Sequence, residues 1–386
     1  NNVAIGHAAL TTQNAGADAY NVAVGYNAGT SVTTGVSNTF IGGLAGDAFT
    51  DADYNVAVGT QALSADTLGS RSVAIGHAAL QSQNFTSATN AYNTAVGMEA
   101  GTSVTTGVQN TFIGGSSGKL NNTASNNTAV GYASLTANTT GAENTAVGAE
   151  AGDAITTGAE NVALGYGSLS ATTTASYNTA VGKSSLGSNT TGASNTAVGK
   201  SALLANTTGA SNTAVGKSAL AANITGSNHT ALGKDALLVS TAGGYDTALG
   251  DSVLKANTSG NYNTGVGASA LAANTTASYI TGIGFQALKA NTTGTANCAV
   301  AADALLANTT GTNNTAVGNN ALTTNTTGAD NTAIGKDALK DATTASYNTA
   351  LGTLAAENTT TGHSNVAVGR ASLNENSTGD NNVAIG

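Results

Sequence analysis

The feature that most constrains this chain is a phrase that restarts every seventeen residues. Asn195-Thr196-Ala197-Val198-Gly199-Lys200-Ser201-Ala202-Leu203-Leu204-Ala205-Asn206-Thr207-Thr208-Gly209-Ala210-Ser211 is followed at once by a near copy of itself. Taking the glycine that closes Thr-Ala-Val-Gly as an anchor places anchors at 6, 25, 42, 59 and 76, then every 17 residues from 97 to 386, with Ala301 once replacing glycine. Of the 22 intervals between these 23 anchors, 20 are 17 residues long; Gly6 to Gly25 takes 19 and Gly76 to Gly97 takes 21, which predicts small loop insertions there. A fixed short period marks a repeat architecture, in which each unit buries its apolar face against its neighbours. It predicts one continuous all-β parallel solenoid, or β-roll, of about 23 coils over 1–386, with two irregular loops in 1–96 and strict periodicity over 97–386.

Composition separates an ordered solenoid from a disordered linker. Charged residues are only 8% and glycines number 50, a balance that solvated linkers also show. Each coil nevertheless carries the same apolar residues in the same places, which a linker does not need. The net charge of −9 argues against a nucleic-acid surface, because phosphate neutralisation needs clustered Lys and Arg. No run of apolar residues is long enough to insert in a membrane. The single cysteine, Cys298, excludes an intrachain disulfide and stands where Thr is usual, which predicts a small core residue. The chain opens on Asn2-Val3-Ala4-Ile5-Gly6 and closes on Asn382-Val383-Ala384-Ile385-Gly386, which is expected of a segment of a longer fibre or of a subunit whose ends resemble one another.

The absence of proline fits a backbone whose N–H groups feed neighbouring coils, since proline cannot donate to a ladder. Thr-Ala-Val-Gly alternates with period two, Thr and Val on one face and Ala and Gly on the other. Ala-Leu-x-Ala is expected as a second short extended stretch whose Leu meets the Val, and Asn-Thr-Thr-Gly as the turn. Ala301 at an anchor suggests that smallness, not left-handed backbone, is the demand there. Phe40 and Phe112, two residues before their anchors, predict locally wider coils. Ala175, Ala277 and Ala345 replace the turn glycine and are followed by Ser and Tyr, which suggests an alternative turn capped by Tyr177, Tyr279 and Tyr347. All eleven tyrosines fall five residues before an anchor or directly after it. The second column also holds Lys183, Lys200, Lys217, Lys234, Lys336 and Arg370, so it must face solvent. One Val and one Leu per coil bury little against the entropy of ordering seventeen residues, so a second buried surface is needed. The small, flat Ala/Gly face is expected to supply it, by meeting the same face of two or three identical chains.

Asn-Val-Ala-Ile-Gly at either end, Asn-Val-Ala-Val-Gly and Ser-Val-Ala-Ile-Gly resemble the head repeats of YadA-like trimeric autotransporter adhesins. The full phrase with Ala-Leu and Asn-Thr-Thr-Gly is more similar still to repeats in tail-fibre-domain proteins of phages and bacterial surfaces. The resemblance covers the whole chain, although adhesin repeats are usually a little shorter. It implies a left-handed roll wound as a homotrimer, and it carries shape more than function, since specificity sits in loops and tips.

Four histidines, His7, His77, His229 and His363, are scattered through the chain; His7 and His77 follow their anchors in the solvent column, where their ladder neighbours are Tyr26 and Met98 and not metal ligands. Asp235, Asp251, Asp303 and Asp337 lie one or two residues after their anchors, with no second carboxylate to form an acid/base pair. The Gly-Gly-x-Gly-x-Asp spacing of calcium-binding nonapeptide repeats is missing. No catalytic, metal or cofactor residue is therefore assigned. Asn206, Asn274, Asn291, Asn308 and Asn325 fit the Asn-x-Thr glycosylation pattern, against the plainer reading as turn residues. Stacked Thr also suggests an ice-binding solenoid as a remote alternative. The expectation is a non-enzymatic extracellular fibre segment on a cell-surface appendage, adhesin-like and mediating attachment. It would associate with itself, end to end as well, and contact a host surface, receptor or glycan; the alternative is a phage tail-fibre shaft. At about 4.8 Å per coil the coils would span roughly 110 Å.

Overall fold

The computed structural model describes residues 1–386 except Ala17. They form two compact units, 1–194 and 195–386. Both are all-β, and no helix occurs among the described residues. The anchors mark out about 22 turns of a parallel β-solenoid with the 17-residue repeat. Each coil contributes one three-residue strand, such as Thr196–Val198, whose residues lie opposite their equivalents in the next coil: Thr196 on Thr213, Ala197 on Ala214 and Val198 on Val215. Parallel strands must be joined by a crossover, and here the crossover is the rest of the coil. Ladder bonds continue outside the strands, for instance Thr315 N donating to Asn331 O at 2.8 Å and Leu305 N to Ala321 O at 3.0 Å.

Four positions of positive φ turn the chain back on itself. In the coil after Gly199 they are Gly199 (φ 131°), Ser201 (58°), Leu203 (50°) and Ser211 (58°). The expected second strand is therefore a run of turns, and Leu takes a left-handed conformation that costs roughly 1–2 kcal/mol because its side chain is then aimed into the coil. Ala197, Ala202, Leu203, Asn206 and Asn212 are all fully buried.

This reverses the expected faces of the strand. Ala points into the coil and packs near Leu, whereas Thr and Val point outward. The Ala/Gly face is thus the interior and is not available to another chain. Cys298, in the Thr column, is half-buried on the outward face and not a core residue. Nor is the anchor's demand smallness alone. Ala301 itself has φ 109°, and a Cβ on Gly318 would stand 2.6 Å from the Gly335 carbonyl oxygen in the next coil. Positive φ and close stacking of anchor on anchor both select glycine.

The phenylalanine coils make room for the ring by losing leucine side chains. Where most coils place Leu four residues after the anchor, the coils around Phe40 have Gly29 and Gly46, and those around Phe112 have Gly101 and Gly118. A Cβ on Gly101 would meet Phe112 Cδ2 at 2.8 Å, and one on Gly118 would overlap the same ring. One aromatic ring thus fills the space of two missing leucines. The Ala-for-Gly turns keep the ordinary path: Ala175 O still accepts from Asn161 Nδ2 at 2.9 Å. Ser176, Ser278 and Ser346 accept the N–H of Ala159, Asn261 and Ala329, each at 3.0 Å, while the expected tyrosine caps point into solvent.

The first insertion falls in the longer interval from Gly6 to Gly25, on either side of which Asn14 N donates to Thr33 O and Ala19 O accepts from Ser37 N. The second follows Asn84; it pairs Gly69–Ser70 with Thr89–Asn90 as a two-stranded sheet and buries Asp66 beneath it.

Candidate functional site

Because Ala and Leu close the interior, what each unit offers to its surroundings is the outward face of its strands. The residue directly before the anchor is Val, Ile or Leu in every coil of both units. Two residues earlier it is Thr or Val, with Cys298 the one exception. No charge interrupts these two columns. Most of the bulkier members stay exposed, Leu232 by 49% and Leu351 by 46%, while Leu249 is half-buried. Contiguous aliphatic surface of this kind marks interaction sites more often than chance, although β-branched residues also favour strands for their own sake.

The tyrosine columns flank this face, and all eleven tyrosines are more than half exposed. Eight of them precede their anchors by five residues and occupy the left-handed corner. Tyr245, Tyr262 and Tyr279 stack in consecutive coils, with ring centroids 5.2 and 5.3 Å apart. In the first unit the same corner places the Arg71 guanidinium 4.8 Å from the Tyr54 ring and 5.9 Å from the Tyr92 ring.

Two asparagine columns run through the interior. Four residues before the anchor, Asn314 donates through Nδ2 to Gly328 O at 2.8 Å and through its backbone N–H to Asn297 Oδ1 at 2.9 Å. In the turn, Asn308 Nδ2 donates to Asn291 Oδ1 at 2.8 Å and Gly311 O at 3.0 Å, while Asn308 Oδ1 accepts from Asn325 at 2.8 Å. The ladder stops at Asn325, whose Oδ1 finds no protein donor because Ala342 follows in the next coil. Asn206, Asn274, Asn291, Asn308 and Asn325 are fully buried, so the positions that fit the glycosylation pattern are out of reach in the folded chain and the plainer reading as structural residues is the one that fits. The neighbouring threonine hydroxyls are also engaged, Thr292 Oγ1 to Thr309 O and Thr309 Oγ1 to Thr326 O, each at 3.0 Å.

His229 and Asp246 replace asparagine in the first of these columns in consecutive coils, and both are buried. His229 Nδ1 lies 3.5 Å from Asp246 Oδ2, and neither imidazole nitrogen has a hydrogen-bond partner. Asp246 Oδ1 accepts from the Asn263 backbone N–H at 2.8 Å and its Oδ2 from Asn257 Nδ2 at 3.1 Å. Burial lowers the histidine to about 4 and raises the aspartate to about 7, so the contact joins two uncharged groups between those values. Asp66 is likewise raised by burial, although it accepts from Gln83 Nε2 at 2.6 Å and from the Gly69 N–H at 3.0 Å.

The other candidates are dispersed. His7 is exposed and stacked on Tyr26 at 5.3 Å; His77 is exposed; His363 is exposed, its Nδ1 accepting from Ser346 N at 3.0 Å. Asp235 lies 3.6 Å from Lys234 and Asp337 3.5 Å from Lys336, while Asp251 and Asp303 join no cluster with them. Among the described residues there is no pocket and no group of three or more His, Cys, Asp or Glu placed to hold a metal ion. No helix among them is long and apolar enough to cross a membrane. The exposed aliphatic column and the His229–Asp246 pair were both missed in the sequence. Counting from the anchors would have found them, since 229 and 246 each stand four residues before one. No protein-family model matches the chain, and no curated protein matches it.

Proposed function

We propose that this chain is a non-enzymatic structural segment of an extracellular fibre, adhesin-like, which associates with copies of itself and presents its outward corners and turns to a surface. The observation that carries this reading is the uninterrupted, charge-free column of Val, Ile and Leu on the outward strand face of each unit. Three such faces turned toward one axis would bury the columns and supply the second apolar surface that a coil with a small interior needs. The resemblance to YadA-like head repeats favours three copies and left-handed winding. Lysines and tyrosines flanking the face would then remain at its rim, where residues can vary without disturbing Ala and Leu inside. A phage tail-fibre shaft shares these physical requirements and differs in what it is attached to.

Sedimentation equilibrium of the purified chain tests the association. A mass of three chains is expected, and Val215→Lys with Leu232→Lys should reduce it to one, because two charges would be buried without partners. A wild-type chain that sediments as a monomer at all concentrations would overturn the proposal. Electron microscopy of native material distinguishes a cell appendage from a fibre on a virion.

A further inference from the structure

Tyr245, Tyr262 and Tyr279 are the three tyrosines that follow one another without interruption in the corner column. Their rings are nearly parallel, with interplanar angles of 10° and 9°. Ladder bonds hold their backbones in register, Tyr262 N to Gly244 O at 3.3 Å and Tyr279 N to Asn261 O at 3.1 Å, so the three side chains start from positions one coil apart. All three open to solvent, with 51% exposure at the central Tyr262. The other tyrosines of this column lack that arrangement: Arg71 separates Tyr54 from Tyr92, and Tyr347 lies between Asp330 and Ser364.

We propose that this column is a site of oxidative cross-linking, in which a one-electron oxidant of the haem-peroxidase and hydrogen peroxide class joins neighbouring tyrosines into dityrosine. Each phenol loses one electron and one proton to give a phenoxyl radical. The two radicals couple through the ring carbons ortho to oxygen, and two ring hydrogens leave as protons as aromaticity returns and the oxygens regain theirs. Two phenols and one hydrogen peroxide thus give one biaryl bond and two waters. Coupling within the stack outruns coupling between molecules at low protein concentration, because the second ring is already in place. The product would tie residue to residue across successive coils and lock them against unwinding.

The test uses the full chain at low micromolar concentration with peroxidase and limiting hydrogen peroxide. Dityrosine fluorescence is expected in the single-chain band of a denaturing gel. Tryptic mass spectrometry then places the links. Tyr245 falls between Lys234 and Lys255, and Tyr262 with Tyr279 between Lys255 and Lys289, so one link joins two peptides and the other is an internal loss of two hydrogens. Tyr262→Phe, which keeps the exposed ring, should remove both intrachain links without altering the circular dichroism, and Tyr347→Phe should leave them. Absence of intrachain dityrosine, links spread equally over the separated tyrosines, or a Tyr262→Phe chain that cross-links as before would each overturn the proposal.

Discussion

Replacing His229 by Asn should give this protein a pH dependence of stability that it does not otherwise have at that site. Burial, and not the histidine, raises Asp246 to about 7 from its ordinary 3.8, so the shift survives in His229→Asn. Between those values the folded variant holds a proton that the unfolded chain has released. Stability from this group is therefore full below about pH 4 and is lost as pH rises through 7. Roughly three units at 1.36 kcal/mol each make a loss of about 4 kcal/mol. Asp246→Asn should do the reverse. His229, lowered to about 4 from 6.5, then binds fewer protons when folded, so stability is full above about pH 6.5 and falls by about 3 kcal/mol toward pH 4. In the native pair the two effects oppose each other, because folded and unfolded pairs each hold one proton over most of that window. Urea unfolding followed by circular dichroism at pH 4.5, 6.0 and 7.5 reads all three chains. Slopes of equal sign in the two variants, or flat profiles in both, would refute the assignment of these groups as a buried, uncharged pair.

Ala301→Gly should stabilise the second unit by about 1 kcal/mol in the same assay, since relief of strain at φ 109° outweighs the added freedom of glycine in the unfolded chain. Asn308→Ala should cost about 2–4 kcal/mol, because buried Asn291 Oδ1 loses its donor and Asn325 Nδ2 and Gly311 O each lose one of two partners; an unchanged midpoint would show that the asparagine ladder adds no stability. Phe112→Ala should cost about 3–5 kcal/mol by opening a cavity. Adding Gly101→Leu and Gly118→Leu should recover most of that, as both glycines already have the left-handed φ at which other coils hold Leu.

Period, strand position and parallel register were legible in the sequence because they repeat, and repetition averages out local ambiguity. Val215 shows where that legibility ends. Alternation places Val and Ala on opposite faces but does not say which face is inside, and size alone made Val the natural core residue. The choice is made by Leu220, whose left-handed backbone no propensity would favour; its buried side chain requires the small Ala to be its neighbour. The turn role of Asn308 is legible, and its amide does bond Gly311 O within the turn, but the sequence does not show that it is also a buried rung with partners in the coils on either side. His229 and Asp246 stand in the asparagine column four residues before their anchors, but the sequence does not show that this column is buried, which is what makes the pair exceptional. The Phe112 compensation shows only when the coils are aligned on their anchors, since its two glycines lie in different coils.

The claim on which all of this rests is that equivalent residues of successive coils stand one strand spacing apart. In a Cys298→Thr background, spin labels at Thr208→Cys paired with Thr310→Cys or Thr344→Cys occupy exposed positions of one column, six and eight coils apart within the second unit. Dipolar spectroscopy should give separations of about 29 and 38 Å, in steps of about 4.8 Å per coil. Distances that do not grow with the number of coils would contradict the stacked solenoid.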